Sequence, residues 1–181
     1  MMQHSKKIIG MAMSALVLGL LLGFLPMSFA GVAGDLDSPC PPGFAQSRQM
    51  SKCYRFVFMQ RKWEEAREHC RSEGGVLLEL ANRAEIHALV ALANQPTVPI
   101  ELGHPPVKFW TGGRRQSNTD FIWDGSRRNL PQNSPLWRKG EPNHHREHYA
   151  ELHLSDEAYV SGLNDAKQHD LFFICESPLL A

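Results

Sequence analysis

The chain has 181 residues, enough for one domain with a buried core, and its 19 basic side chains balance its 19 acidic ones. That neutrality excludes the basic field on which nucleic-acid binding and attachment to anionic membranes depend. No internal repeat or low-complexity tract divides the sequence.

The chain opens on Lys6 and Lys7, followed by a run from Ile8 to Leu25 that is uncharged and apolar apart from Ser14. Ser28-Phe29-Ala30 then offers small residues where a signal peptidase reads. Residues 1–30 are therefore expected to be a secretory signal peptide, cleaved after Ala30 or Ala33. An apolar run of about eighteen residues also suits an uncleaved anchor. The small-residue exit and the short distance to Cys40 favour cleavage, a secreted extracellular product and no membrane insertion afterwards. Residues 31–39 read as a short linker and 40–178 as the folded domain. Cys40, Cys53, Cys70 and Cys175 all lie beyond the leader. Four cysteines in an exported chain predict two disulfides, with three pairings open. No C-x-x-C spacing supports a zinc ribbon or a thioredoxin-like site.

Pro41-Pro42-Gly43-Phe44 forms a turn, and 54–58 reads as a strand; a Cys40–Cys53 link would staple a hairpin there. Residues 62–73 read as a helix with Trp63, Ala66 and Cys70 on one face, stopped by Gly74-Gly75. Residues 76–78 form a short apolar strand. Asn82 caps a second helix with Glu85 as its capping-box partner, burying Ile86, Leu89, Val90 and Ala93 and ending before Pro96. Four prolines make 95–108 a loop. Strands follow at 109–113 and 120–125, the second ending in an Asp-Gly turn. From Ser126 to Asn143 the chain is polar and irregular, and a loop of this length in a compact domain usually carries function. Two more strands, 151–154 and 171–175, close the domain. Trp63, Trp110 and Trp123 fall on core faces, and Trp137 is expected to pack beneath the long loop.

In that order the elements resemble a C-type lectin-like domain of the long form. The residues that carry the resemblance are the Cys40/Cys53 pair, the Trp63-x-x-Ala66-x-x-x-Cys70 helix and Phe109-Trp110-Thr111-Gly112-Gly113. They continue with Phe121-x-Trp123, Trp137-x-x-Gly140-Glu141-Pro142-Asn143, Leu163-Asn164-Asp165 and Phe173-Ile174-Cys175-Glu176. The resemblance implies an α+β fold: two helices flanking small antiparallel sheets, a long irregular loop region, and Cys70–Cys175 as the second bridge. Three departures stand out. Tyr149 and Gln168 occupy the places where the family usually carries a further disulfide. Leu163 replaces the Trp that commonly precedes Asn-Asp. Arg114, Arg115 and the His144-His145 pair stand where auxiliary calcium sites have acids.

Glu141, Asn143, Glu147, Asn164 and Asp165 bring carboxylate and amide oxygens to loop positions, the ligand chemistry a hard cation takes. The resemblance implies that these five residues hold one Ca²⁺ and that the same five bind carbohydrate. Three carboxylates against Ca²⁺ leave about one negative charge, which suits a neutral sugar. Glu-Pro-Asn implies mannose, glucose, N-acetylglucosamine or fucose in preference to galactose. The partners implied are glycans, in roles such as innate immune recognition or adhesion, and any homo-oligomer forms through the domain itself. Glu147 lies closer to Asn143 than is usual, so Glu151 is the alternative ligand. A cis Glu141–Pro142 peptide would aim both flanking side chains at one ion. His144, His145, His148 and His153 cluster nearby, but no H-E-x-x-H or G-x-S-x-G motif supports an enzyme. The alternative function is a protein-interaction module of the same fold without sugar binding.

Overall fold

The computed structural model describes residues 39–46 and 50–180. The expected signal peptide, and all of the linker but Pro39, lie outside the described residues. Helix α1 (Trp63–Ser72) buries Trp63, Ala66 and Cys70, and its first-turn Glu64 and Glu65 complement the helix dipole. Gly74 follows at φ +78°, a conformation that costs glycine least. Helix α2 (Arg83–Ala93) is capped by Asn82, whose side chain accepts from the Glu85 amide at 3.3 Å. Glu85 in turn accepts from the Ala81 amide at 2.9 Å. The capping box is displaced by one residue from its usual geometry.

The strands are β1 (Ala45–Gln46), β2 (Lys52–Arg61), β3 (Val76–Leu77), β4 (Val107–Arg115), β5 (Phe121–Trp123), β6 (Asn129–Leu130), β7 (Tyr149–Leu154), β8 (Gly162–Ala166) and β9 (Leu171–Pro178). Their hydrogen bonds order them β1-β2-β9-β4-β5-β6, with β3 on β9, and β7 on both β4 and β8. The pairs are antiparallel except β4–β9, which is parallel through Phe109↔Phe172 and Trp110↔Phe173. That parallel junction ties the terminal strands to the loop-bearing half. The α+β class, two helices and two disulfides are as expected; β8 and β6 are strands that no alternation pattern announced.

Cys40–Cys53 staples the β1–β2 hairpin, and Cys70–Cys175 joins α1 to β9 across 105 residues. Closing a loop of that size contributes about 4–5 kcal/mol in the chain-entropy view. One core cluster gathers α2 with Leu78, Phe109, Phe121, Trp123 and Trp137; a second gathers Trp63, Trp110, Phe173 and both cystines. A buried polar brace crosses the first. Glu79 Oε1 accepts from the amides of Gly125 at 2.6 Å and Ser126 at 2.9 Å, while Glu176 Oε2 accepts from the Glu79 amide at 3.0 Å and Lys52 Nζ at 3.1 Å. A Cβ on Gly125 would stand 2.7 Å from Glu79 Oε1 and 3.3 Å from Val76 Cγ1, so a side chain at the turn that launches the long loop would displace the end of this brace.

The positions expected to lack a bridge are tied another way. The Tyr149 hydroxyl and the Gln168 amide both donate to the Glu64 carboxylate of α1. Tyr149 also stacks on Trp63 at 4.9 Å between ring centroids. The ends of β7 and β8 are thus held against α1 by hydrogen bonds and ring packing.

Candidate functional site

Two chain segments far apart in sequence meet because one makes a short ladder with the other. Trp137 forms a parallel bridge with Leu163; the Leu163 amide donates to Leu136 O at 2.8 Å and the Arg138 amide to Leu163 O at 2.9 Å. Leu163 is fully buried in the main core cluster and carries this ladder through its backbone as well. From that ladder the chain turns at Gly140, φ +91°, into the Glu141–Pro142 peptide, which is cis. Glu141 and Asp165 then face one another.

Asp165 is the centre of this cluster. Its side chain is fully buried. The Asn143 amide donates to Oδ1 at 3.0 Å, and the His144 amide to Oδ2 at 3.2 Å. Arg115 Nη2 donates to Oδ2 at 3.0 Å. Arg115 is itself 5% exposed and spends its remaining donors on three loop carbonyls: Glu147 at 2.7 Å, Asn118 at 2.9 Å and His144 at 3.0 Å. Its guanidinium also lies 4.3 Å over the Phe121 ring. It is a built-in cation at the heart of the loop, at a place where the sequence showed only the absence of an acid.

Glu141 is in a different condition. Its Oε2 is buried and has no hydrogen-bond partner. Burial, then the hydrogen bond and charge of Asp165, push its carboxyl up to about 7, with Glu147 adding repulsion and Arg138 opposing it. The carboxyls of Asp165 and Glu147 thus both act on Glu141, with Arg138 opposing them and Arg115 paired to Asp165. The donor set is oxygen-rich and short of positive charge, which fits a divalent hard cation. Among the described residues no three His, Cys, Asp or Glu side chains close on one point as a metal cage.

The predicted set is brought together in part. Glu141, Glu147, Asp165 and the Asn143 backbone share the cluster. Asn143 itself is exposed. Asn164 sits on β8 beside them, but its Nδ2 donates to Asp165 O at 2.7 Å and to Glu151 Oε1 at 3.2 Å. Glu151, the alternative to Glu147, belongs to a second, closed cluster. Its carboxyl is 1% exposed and meets His153 Nε2 at 2.6 Å, Lys108 Nζ at 3.2 Å and His169 Nε2 at 3.3 Å. Burial pushes Glu151 up, but His153 and Lys108 outweigh it and hold the carboxyl below its ordinary value. Arg138 Nη1 meets the other ring nitrogen of His153 at 2.8 Å, so Nε2 carries the proton that Glu151 receives. Of the histidine cluster, His144 and His145 stack on each other at 5.2 Å and His153 is buried. Trp137 is buried against Phe121, beneath the loop.

Residues 59–177 match the family model described as "Lectin C-type domain". Rat L-selectin is 27% identical over 121 residues, covering 65% of this chain and 30% of L-selectin. The chain spans less than a third of the curated relatives it matches. Among solved structures, the cow CD23 carbohydrate-recognition domain, determined in the presence of a GlcNAc2Man3 oligosaccharide, superposes with a TM-score of 0.59 at 23% identity. It covers 80% of this chain and 99% of its own. A calcium-independent type II antifreeze protein superposes with a TM-score of 0.58 at 15% identity, covering 78% and 95%. These two likenesses are of fold.

Proposed function

The chain belongs to the lectin C-type domain family, and we propose that it is a secreted, calcium-dependent carbohydrate-binding lectin. Glu141, Asn143, Glu147, Asn164 and Asp165 are the residues that would hold calcium; when bound, the ion supplies open coordination positions for two vicinal hydroxyls. The observation that carries this reading is the buried, unpartnered Glu141 Oε2 beside Asp165. A carboxylate left without a donor in a cluster short of positive charge is costly unless a ligand completes it.

Each residue of the chain has a task in this reading. Arg115 and the amides of Asn143 and His144 fix the Asp165 carboxylate in place. Glu141 and Asn143, on either side of Pro142, present an acceptor and a donor to the sugar hydroxyls and so set their orientation. We assign mannose, glucose, N-acetylglucosamine or fucose-type glycans over galactose-type, and a role in innate recognition or adhesion. A shallow site of this kind binds a monosaccharide at around millimolar, about 4 kcal/mol, so avidity would come from several sites on one surface.

One observation favours a second reading, a protein-interaction module without sugar binding. Three N–H donors already occupy Asp165, and the Asn164 amide is drawn toward Glu151. Calorimetric titration with calcium, then with mannose and galactose, separates the two. Calcium binding followed by mannose binding, lost to a chelator, is expected. Absence of calcium binding at millimolar concentrations would overturn the lectin reading and leave the second.

A further inference from the structure

Next to the Glu141 cluster lies a cavity of about 270 Å³, lined by Arg83, Trp137, Arg138, Lys139 and the 159–161 turn. Its size is near the lower end for ligand pockets and suits a substituent rather than a whole oligosaccharide. Three of its lining side chains are cations, and each lacks a carboxylate bonded to it. The Arg83 guanidinium donates only to carbonyls, those of Ala158 at 2.8 Å, Ser161 at 2.9 Å, Pro135 at 3.2 Å and Tyr159 at 3.4 Å. These acceptors position the group and leave its charge in force. Arg138 meets the accepting ring nitrogen of His153. Lys139 is exposed and has no hydrogen bond or ion pair among the described residues. Tyr159 stands at the mouth, 72% exposed, with Glu157 against its hydroxyl.

The cavity and the Glu141 cluster share a wall. The Glu141 amide donates to Arg138 O at 3.0 Å, and the Arg138 charge reaches the Glu141 carboxylate. The geometry points to an accessory subsite: an anionic substituent of a glycan, a sulfate ester or a sugar carboxylate, seats among Arg83, Arg138 and Lys139. The neutral ring of the same glycan is held at Glu141. This rests on the carbohydrate reading for the neutral ring, but the anion contact itself does not. Guanidinium and ammonium groups in a partly desolvated cavity bind oxyanions through charge-assisted hydrogen bonds, and the exposed Tyr159 ring offers a face on which a sugar can lie.

Two measurements test it separately. In calcium at low ionic strength, N-acetylglucosamine 6-sulfate and glucuronic acid are compared with N-acetylglucosamine by calorimetry. At least one acidic sugar is expected to bind about fivefold more tightly than the neutral one, a gain typical of one partly exposed ion pair. Lys139→Glu brings that ratio to about one, and added chloride reduces it. In a chelator, inorganic sulfate titrated at constant ionic strength is expected to shift the backbone amide resonances of Lys139, Tyr159 and Ser161 saturably, and not in Lys139→Glu. Neutral sugar binding with a ratio of one for both acidic sugars overturns the subsite. Should no sugar bind at all, the lectin reading has failed, and the sulfate titration decides the cavity: saturable shifts uphold an anion site, and their absence removes it.

Discussion

Two carboxylate clusters sit side by side on the β7–β8 ladder. Ala150 pairs with Asp165 and Glu151 pairs with Asn164, so neighbouring rungs of one ladder send Asp165 and Glu151 to opposite faces. On one face Glu151 Oε1 meets the His153 N–H, Asn164 and the Lys108 ammonium, which offsets its charge, while its Oε2 is buried without a hydrogen-bond partner, 3.3 Å from His169. On the other, Asp165 is matched by Arg115, but Glu141 beside it has a buried oxygen without a donor and, unlike Glu151, no ion pair among the described residues. Compensation of charge, not proximity in sequence or composition, separates the face that holds the fold from the face where we propose that the ligand binds. The carboxyls respond accordingly: Glu151 is held low and Glu141 is pushed up to about 7.

The sharpest way to break the contrast is Asp165→Ala. It strands the Arg115 guanidinium, 5% exposed, with its carboxylate gone. Loss of one partner of a buried pair costs about 3–5 kcal/mol. Urea unfolding of the calcium-free protein is expected to show that loss, and calcium is expected to restore none of it. A loss under about 1 kcal/mol would mean that Arg115 is not the loop's internal cation.

Glu151→Gln tests the closed face. It keeps an acceptor for Asn164 and the His153 N–H but removes the charge that Lys108 offsets. The expected cost is about 1–3 kcal/mol, with calcium stabilising the variant as it does the parent. Loss of that calcium increment would return Glu151 to the ligand set. Glu64→Ala probes the anchor shared by both faces, where Tyr149 and Gln168 meet α1. About 1 kcal/mol is expected, since these groups are partly exposed. Faster proteolysis between β7 and β8 is the accompanying sign.

How far the sequence foretold these faces differs between them. The helices were legible because Trp63, Ala66 and Cys70, and then the Asn82 cap, obey local spacing rules. Glu141 and Asp165 were legible because Glu-Pro-Asn and Asn-Asp resemble a known pattern. The closed cluster was not. The sequence places His153 on a strand within a histidine cluster and offers Glu151 as an alternative ligand, because nothing local shows that Lys108 and His169 arrive beside them. Arg115 was equally hidden: a sequence displays the missing acid, but not the four oxygens that a guanidinium gathers in its place. Glu79 escaped notice for the same reason, since its partners Gly125 and Ser126 lie 46 and 47 residues downstream.

The smallest expected effect is the most discriminating, because its sign changes with calcium. In the calcium-free protein the Glu141 carboxyl is raised from 4.5 to about 7, by burial first and by Asp165 next. A folded state that holds the proton more tightly than the unfolded chain loses stability as pH rises between those two values. That loss is complete above about pH 7 and absent below about pH 4.5. Glu141→Gln removes the titration. Without calcium it should match the parent at low pH and exceed it by up to about 1 kcal/mol at about pH 8, after allowance for solvent screening. With calcium the order should reverse at about pH 8, because the carboxylate then has a cation to meet and the amide does not. Urea midpoints at both pH values, with chelator and with calcium, measure all four cases. A variant less stable than the parent in chelator at the higher pH would mean that Glu141 is already compensated, and the two faces of the ladder would no longer differ in kind.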